Sequence, residues 1–251
     1  MLTCREIEQH AVYLRDELHL PLHKPIGDMP SLISSAGYEY VEDQFGREVS
    51  GFCSYLGNEQ YLIGFNTEHY FSRAFFRFTL AHELGHLSLP HHREMLKQEM
   101  MHRSTHDDDN ELEYEANQFA ISLLSPRQEF LRLADTQPYT PEVAGNIAAY
   151  FGISPEAAAR RFITCSEKPL ALLYVAHDHS LNRYFSTSFF EEETPDLQHW
   201  YLSDVQPMIN TFEHSASIEL DTGRSCTIHR MKVDYKDETM IMVELRDQPA
   251  S

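Results

Sequence analysis

The chain has 251 residues, 42% of them hydrophobic, which is enough for one large domain or two ordinary ones with a real core. Twenty lysines and arginines stand against 39 aspartates and glutamates, a formal net charge of −19, and this acidic excess argues against direct DNA binding, which calls for a basic patch. No run approaches the ~20 apolar residues of a membrane span, and the opening Met1-Leu2-Thr3-Cys4-Arg5-Glu6 lacks an apolar signal core, so a cytoplasmic protein is expected.

Residues 3 to 19 read as an amphipathic helix with Ile7, Ala11, Leu14 and Leu18 on one stripe. Thr3 followed by Glu6 predicts a capping box at its start. A loop carrying Pro21, Pro25, Gly27 and Pro30 follows. Two strand-like runs, Val49 to Leu56 and Gln60 to Phe65, flank Gly57-Asn58 and predict a hairpin.

The next segment carries chemistry. His82-Glu83-Leu84-Gly85-His86 is an HExxH sequence, led by the apolar run Phe75 to Ala81 and closed by Leu87-Ser88-Leu89-Pro90. At about 3.6 residues per turn, positions four apart lie one above the other, so His82 and His86 can offer two imidazoles to one tetrahedral zinc. Glu83 sits about 100° round the helix, beside the open position, where it can act as general base toward water. The plainer reading, two solvated histidines on an amphipathic helix, fits the abundance of histidine (15 residues) but not the apolar surroundings. Gly85 inside a helix costs about 1 kcal/mol relative to Ala, which is tolerable where something must approach the backbone closely.

Arg93 to Asn110 is very polar and ends in Asp107-Asp108-Asp109-Asn110; it reads as a loop over the cleft. Its His102-x-x-x-His106 spacing suits a metal only on a helix, and a solvated loop is the simpler reading. From Glu111 a second helix is expected, with Leu112, Ala116, Phe119, Ala120 and Leu123 as its core face and Ser125-Pro126 as its stop. A catalytic zinc needs a third protein ligand, and a carboxylate from a second helix is a standard solution. Glu111, Glu113 and Glu115 compete for that role, and helical phase does not separate the last two. Glu113 has Asn117 one turn on, able to hydrogen-bond a ligating histidine, whereas Glu115 has Phe119 there. Glu113 is therefore assigned as the ligand, and Glu111 is expected to be solvated.

These segments, with Arg77-Phe78-Thr79-Leu80-Ala81 before the motif, Glu113 to Ala120 after it, Leu123-Leu124-Ser125-Pro126 and the upstream Ile63-Gly64-Phe65-Asn66, resemble the ImmA/IrrE family of metallopeptidases over roughly Val49 to Pro126. The resemblance implies a gluzincin-type, zincin-like domain, mainly helical with a small β-sheet, with ligands His82, His86 and Glu113 and catalytic Glu83. It also implies a substrate class, a helix-turn-helix repressor whose cleavage switches on stress-response or mobile-element genes. Related zinc peptidases often place Asp where this chain has Asn117, which lowers the charge there without removing the hydrogen bond. Zinc is the expected cofactor, with manganese as the alternative, and the acidic surface would favour encounter with a basic repressor. Tyr114, His91, His92, His102 and His106 are oxyanion-donor candidates by type and proximity only.

From Pro141, the run through Gly152-Ile153-Ser154-Pro155 to Phe162 has a helix-turn-helix outline. Arg160 and Arg161 would be its phosphate contacts, but on grounds of charge a packed helical pair is preferred. After Lys168-Pro169 the chain turns strand-rich: Leu170 to Ala176, Leu181 to Phe190, Ile218 to Leu220, Thr227 to Tyr235 and Met240 to Leu245, with one or two short helices in Pro195 to Phe212. The expected organisation is a peptidase domain over residues 1–135, a helix-turn-helix-like segment over 136–166, and a C-terminal α+β module over 167–251, sensory and GAF-like by analogy with relatives. His177, His179, His214 and His229 read as ordinary. Cys4, Cys53, Cys165 and Cys226 are scattered and read as reduced thiols.

The favoured function is thus a repressor-cleaving zinc endopeptidase. Two alternatives are a non-hydrolytic repressor- or signal-binding regulator with a structural zinc, and a peptidase with another protein substrate. Glu83 weighs against the regulator, because a structural site needs no general base.

Overall fold

The computed structural model describes residues 1–46, 48–98, 111–176, 181–188, 190, 215–219, 225–232 and 238–245. These form a mixed α+β fold with eight α-helices and two sheets among the described residues. The chain divides into two compact units, Met1–Phe130 with Ala149–Ser154, and Leu131–Ala148 with Pro155–Ser251. None of the described helices is long and apolar enough to cross a membrane.

In the first unit, helix α1 (Cys4–Glu17) begins at the expected capping box: Glu6 N donates to Thr3 Oγ1 at 3.3 Å while Thr3 N donates to Glu6 Oε2 at 2.8 Å. Ile7 and Ala11 are buried, and so is Arg15. Arg15 donates to the carbonyls of Pro21 and Leu123 at 2.7 Å each, and also to that of Lys24, so its charge is spent on ordering the proline-rich loop. That loop contains an element absent from the sequence reading, α2 (Met29–Ser35), with Pro30 in its first turn, where the missing N–H costs nothing.

Strand β1 (Glu39–Asp43) was likewise not signalled, because its sequence is acidic and its burial weak. It joins the expected hairpin, β2 (Gly51–Gly57) and β3 (Gln60–Asn66), in the order β1-β3-β2. β1 runs parallel to β3, and β2 antiparallel. Asn58 and Glu59 both have positive φ, 50° and 58°, the backbone of a two-residue turn that follows strand twist. Asn66 is buried and ties the following segment, its Nδ2 donating to Val49 O at 2.8 Å and its Oδ1 accepting from Glu68 N at 3.1 Å.

Helix α3 (Arg73–Ser88) packs on β2 and β3, and α5 (Glu111–Leu124) packs on both α3 and α1. Between α3 and the residues outside the description lies α4 (Pro90–Lys97), where the sequence reading placed only loop from Arg93 onward. Pro90 ends α3 and at once starts α4, since proline is accepted in a first turn but not inside a helix. A further short helix, α6 (Arg127–Ala134), follows α5 directly. His102 and His106 lie outside the described residues.

The second unit contains α8 (Pro155–Cys165) and most of α7 (Pro141–Phe151), the two helices of the helix-turn-helix outline, separated by Gly152 at φ +67°. Arg161 is buried and the Arg160 guanidinium lies 4.5 Å from the Phe185 ring centroid. Strands β4 (Leu170–Ala176), β5 (Leu181–Ser186), β6 (Ser215–Glu219), β7 (Ser225–Lys232) and β8 (Glu238–Leu245) form an antiparallel sheet in the order β5-β4-β8-β7-β6. Leu170 through Val175 are all buried, so β4 is covered on both faces. Leu173, Val175, Phe190, Ile228, Ile241 and Val243 make one core, while Tyr174 turns the other way to donate to Glu156 of α8 at 3.0 Å. The expected helices in 195–212, and His177, His179 and His214, lie outside the described residues. His229 sits in β7 opposite Ser215 and Met242. All four cysteines are free thiols, Cys53, Cys165 and Cys226 buried and Cys4 exposed.

Candidate metal centre

Helix α3 is started by Ser72, whose hydroxyl accepts from Phe75 N at 3.1 Å. One turn in, the buried Arg77 guanidinium donates to the carbonyls of Phe151 at 3.0 Å and Gly152 at 2.9 Å, and also to that of Ile26. These bonds anchor the N-terminal half of the helix and leave its C-terminal half, Thr79 to Leu87, buried without a break. Gly85 permits the approach of α5. A Cβ there would lie 3.1 Å from Phe119 Cδ1 and 3.3 Å from the Ala116 carbonyl oxygen.

That approach brings His82, His86 and Glu113 together. Their ligand atoms all lie within 4.8 Å of one another, and the three side chains are buried. The two Nε2 atoms are 3.1 Å apart, His82 Nε2 is 3.1 Å from Glu113 Oε2, and His86 Nε2 is 3.5 Å from Glu113 Oε1. Ligands at ~2.05 Å from a tetrahedral zinc would be about 3.3 Å apart, so the donor set has the size and chemistry of a zinc site.

Electrostatics point the same way. His82 Nδ1 faces Asn117 Oδ1 at 2.9 Å; this oxygen only accepts, so the His82 proton sits on Nδ1 and the Nε2 lone pair faces the carboxylate. So close a pair needs either a proton on Nε2 or a metal cation between the two atoms. Burial lowers the His82 pKa, but the Glu113 hydrogen bond and the charges of Glu83 and Glu113 outweigh it, and the net direction is upward. The pocket therefore favours positive charge.

Glu83 is buried on the same helix, beside the close approach of β2: a Cβ on Gly51 would sit 3.2 Å from Glu83 Oε1 and 2.6 Å from Thr79 Cγ2. Gly51 thus keeps space open next to the carboxylate. Cys53, two residues along the same strand, lies beside Glu83; burial first, then the Glu83 charge, hold this thiol well above its usual range and therefore protonated. Nothing in the sequence singled Cys53 out, since a lone cysteine in a strand gives no spacing signal.

The other glutamates separate cleanly. Glu111 is exposed. Glu115 is buried and faces away from Glu113, its Oε2 lying 2.6 Å from His91 Nε2 and 3.0 Å from His92 Nε2, while its Oε1 accepts from Leu2 N. His92, an oxyanion candidate from the sequence by type and proximity only, is fully buried in the first turn of α4 with its Nδ1 2.9 Å from His86 Nδ1. His91 is part-exposed, and Tyr114 Oη lies 3.3 Å from Cys4 Sγ.

Residues 55–162, which include α3, α4 and α5, match the family model of the IrrE N-terminal-like domain, Peptidase_M78. This chain carries an IrrE N-terminal-like domain of the ImmA/IrrE family. The IrrE-like segment is thus of metallopeptidase type, and the His82, His86 and Glu113 cluster falls inside it. Among solved structures, a Mycobacterium tuberculosis transcriptional regulator has a similar fold, with a TM-score of 0.61 and 14% identity over 95% of this chain and 75% of that one. Comparison with curated proteins gave no match.

Proposed function

We propose that the chain is a zinc-dependent endopeptidase that cleaves a helix-turn-helix transcriptional repressor and so derepresses stress-response or mobile-element genes. The observation that carries this reading is the convergence of His82, His86 and Glu113 with a buried Glu83 on the same helix turn as His82. A zincin-like catalytic unit of gluzincin type accounts for two histidines from α3 and a carboxylate from α5.

The chain's own groups have distinct tasks. His82, His86 and Glu113 hold the metal. Asn117 keeps the His82 proton on Nδ1, so that Nε2 offers its lone pair. Glu83 takes the proton of the attacking water and hands it to the departing amine; proton transfer of this kind is worth roughly 10²–10⁴-fold in rate. Zinc, or manganese in its place, supplies Lewis acidity that polarises the scissile carbonyl and acidifies water.

The partner is read from charge. A formal net charge of −19 suits encounter with a basic repressor rather than with DNA. The burial of Arg161 and the engagement of Arg160 with Phe185 support the same choice, because neither arginine is offered as a bare phosphate contact. Residues 1–135 would be the peptidase domain, 136–166 a helix-turn-helix-like segment, and 167–251 a regulatory, GAF-like module. A cytoplasmic location fits this role.

The test is an intact-mass analysis of a purified helix-turn-helix repressor after incubation with the zinc-loaded chain, beside Glu83→Gln. Cleavage at one discrete bond by the wild type alone is expected. Equal cleavage by Glu83→Gln would overturn the role of Glu83, and zinc binding with no cleavage of any repressor from the neighbouring genes would favour a non-hydrolytic regulator.

A further inference from the structure

His86 is tied to more than the metal cluster. Its Nδ1 lies 2.9 Å from His92 Nδ1, and His92 Nε2 lies 3.0 Å from Glu115 Oε2, all three side chains being buried. A histidine that offers Nε2 to a metal carries its proton on Nδ1. His92 must then accept through its own Nδ1. Its proton is left on Nε2, aimed at a carboxylate that only accepts. Each contact in the series has one donor and one acceptor, and the direction of every hydrogen bond is set by the metal-facing lone pair.

We propose that His92 and Glu115 are positioning residues that hold His86 in its metal-binding tautomer, the counterpart for His86 of what Asn117 does for His82. The inference rests on the metal reading of His82, His86 and Glu113. It gives α4 a task, because the proline that stops α3 also starts the turn that sets His92 against His86. It also explains the fixing of Glu115, whose other oxygen is occupied by Leu2 N–H.

The same proton count decides what the neighbouring cluster is not. His91, His92 and Glu115 bring ligand atoms within 4.8 Å of one another and could by size hold a cation. A metal on His92 Nε2 would drive the His92 proton to Nδ1, where the His86 proton already points. Two N–H groups would then oppose each other at 2.9 Å. On this proposal the cluster is a hydrogen-bonded anchor rather than a second metal site.

Zinc affinity of the full chain, measured by competition with a chromophoric chelator, tests this with His92→Leu and His92→Gln, circular dichroism checking the fold. Glutamine can accept from His86 through Oε1 and donate to Glu115 through Nε2. His92→Leu is expected to weaken zinc binding about 10- to 100-fold, the usual effect of losing such a partner, and His92→Gln to recover most of it. Should His92→Leu not fold, side-chain ¹⁵N spectra of the zinc-loaded wild type decide: His86 protonated at Nδ1 and His92 at Nε2 support the proposal, and the opposite His92 tautomer overturns it. Unchanged affinity in a folded His92→Leu overturns it too, as does a second zinc lost on His91→Ala. A wild type that binds no zinc removes the metal reading itself, and this proposal with it.

Discussion

Phe119 and Gly85 are packed so closely that the one leaves no room for a side chain on the other: a Cβ at residue 85 would fall 3.1 Å from Phe119 Cδ1 and 3.2 Å from Phe119 Cβ. The contact sets the spacing of α3 and α5, and hence the distance between the histidines of one and Glu113 of the other.

Gly85→Val should therefore act at two levels. Overpacking of this kind costs about 1–3 kcal/mol, more than the few tenths of a kcal/mol that valine, itself a weak helix former, regains over glycine. Because the Ala116 carbonyl is also in the way at 3.3 Å, α5 must move and carry Glu113 with it. Urea unfolding should show the lost stability, and chelator competition a parallel loss of zinc affinity. Wild-type values for both would mean that the helices are not held apart by this contact.

Asn117 acts through His82 rather than on substrate. With its Oδ1 2.9 Å from His82 Nδ1, Asn117→Ala should lower zinc affinity roughly 10- to 100-fold. Asn117→Asp keeps the acceptor and adds charge, so it should bind zinc at least as well as wild type. A zinc titration of the three proteins separates the hydrogen bond from mere packing, since Ala and Asp differ in the acceptor.

Glu115 makes a pH prediction. Burial raises its pKa, but the Leu2 N–H and the hydrogen bonds from His92 and His91 outweigh burial and hold it below the ordinary carboxylate range. A depressed folded-state pKa stabilises the fold above the unfolded value, and that contribution is lost as pH falls through the folded one. Wild type should thus exceed Glu115→Gln in unfolding free energy near neutrality, with the gap closing in acid. A gap independent of pH would place the contribution elsewhere.

Much of this protein is legible in its sequence because the signals are local. HExxH has helical spacing, so the pairing of His82 with His86 and the place of Glu83 follow from about 3.6 residues per turn. Thr3 and Glu6 are three apart, and the capping box forms. Runs such as Leu170 to Ala176 are apolar enough to declare a strand, and β4 has those bounds. Acidic composition bears on partners without reference to any fold.

What only the tertiary structure decided are relations between residues far apart in the chain. Glu113 and Glu115 flank the apolar face of α5 on opposite sides at similar angles, and they part company because one meets the histidines of α3 while the other meets those of α4. β1, α2 and the first turn of α4 carry polar or proline-rich sequence that reads as loop, and they become regular only by packing against β3 and α3. Cys53 and His92 reach the site through strand pairing and a helix restart, which impose no sequence period. Periodicity reports the face a residue occupies; which partner that face meets depends on long-range burial, as the placing of His92 against His86 does.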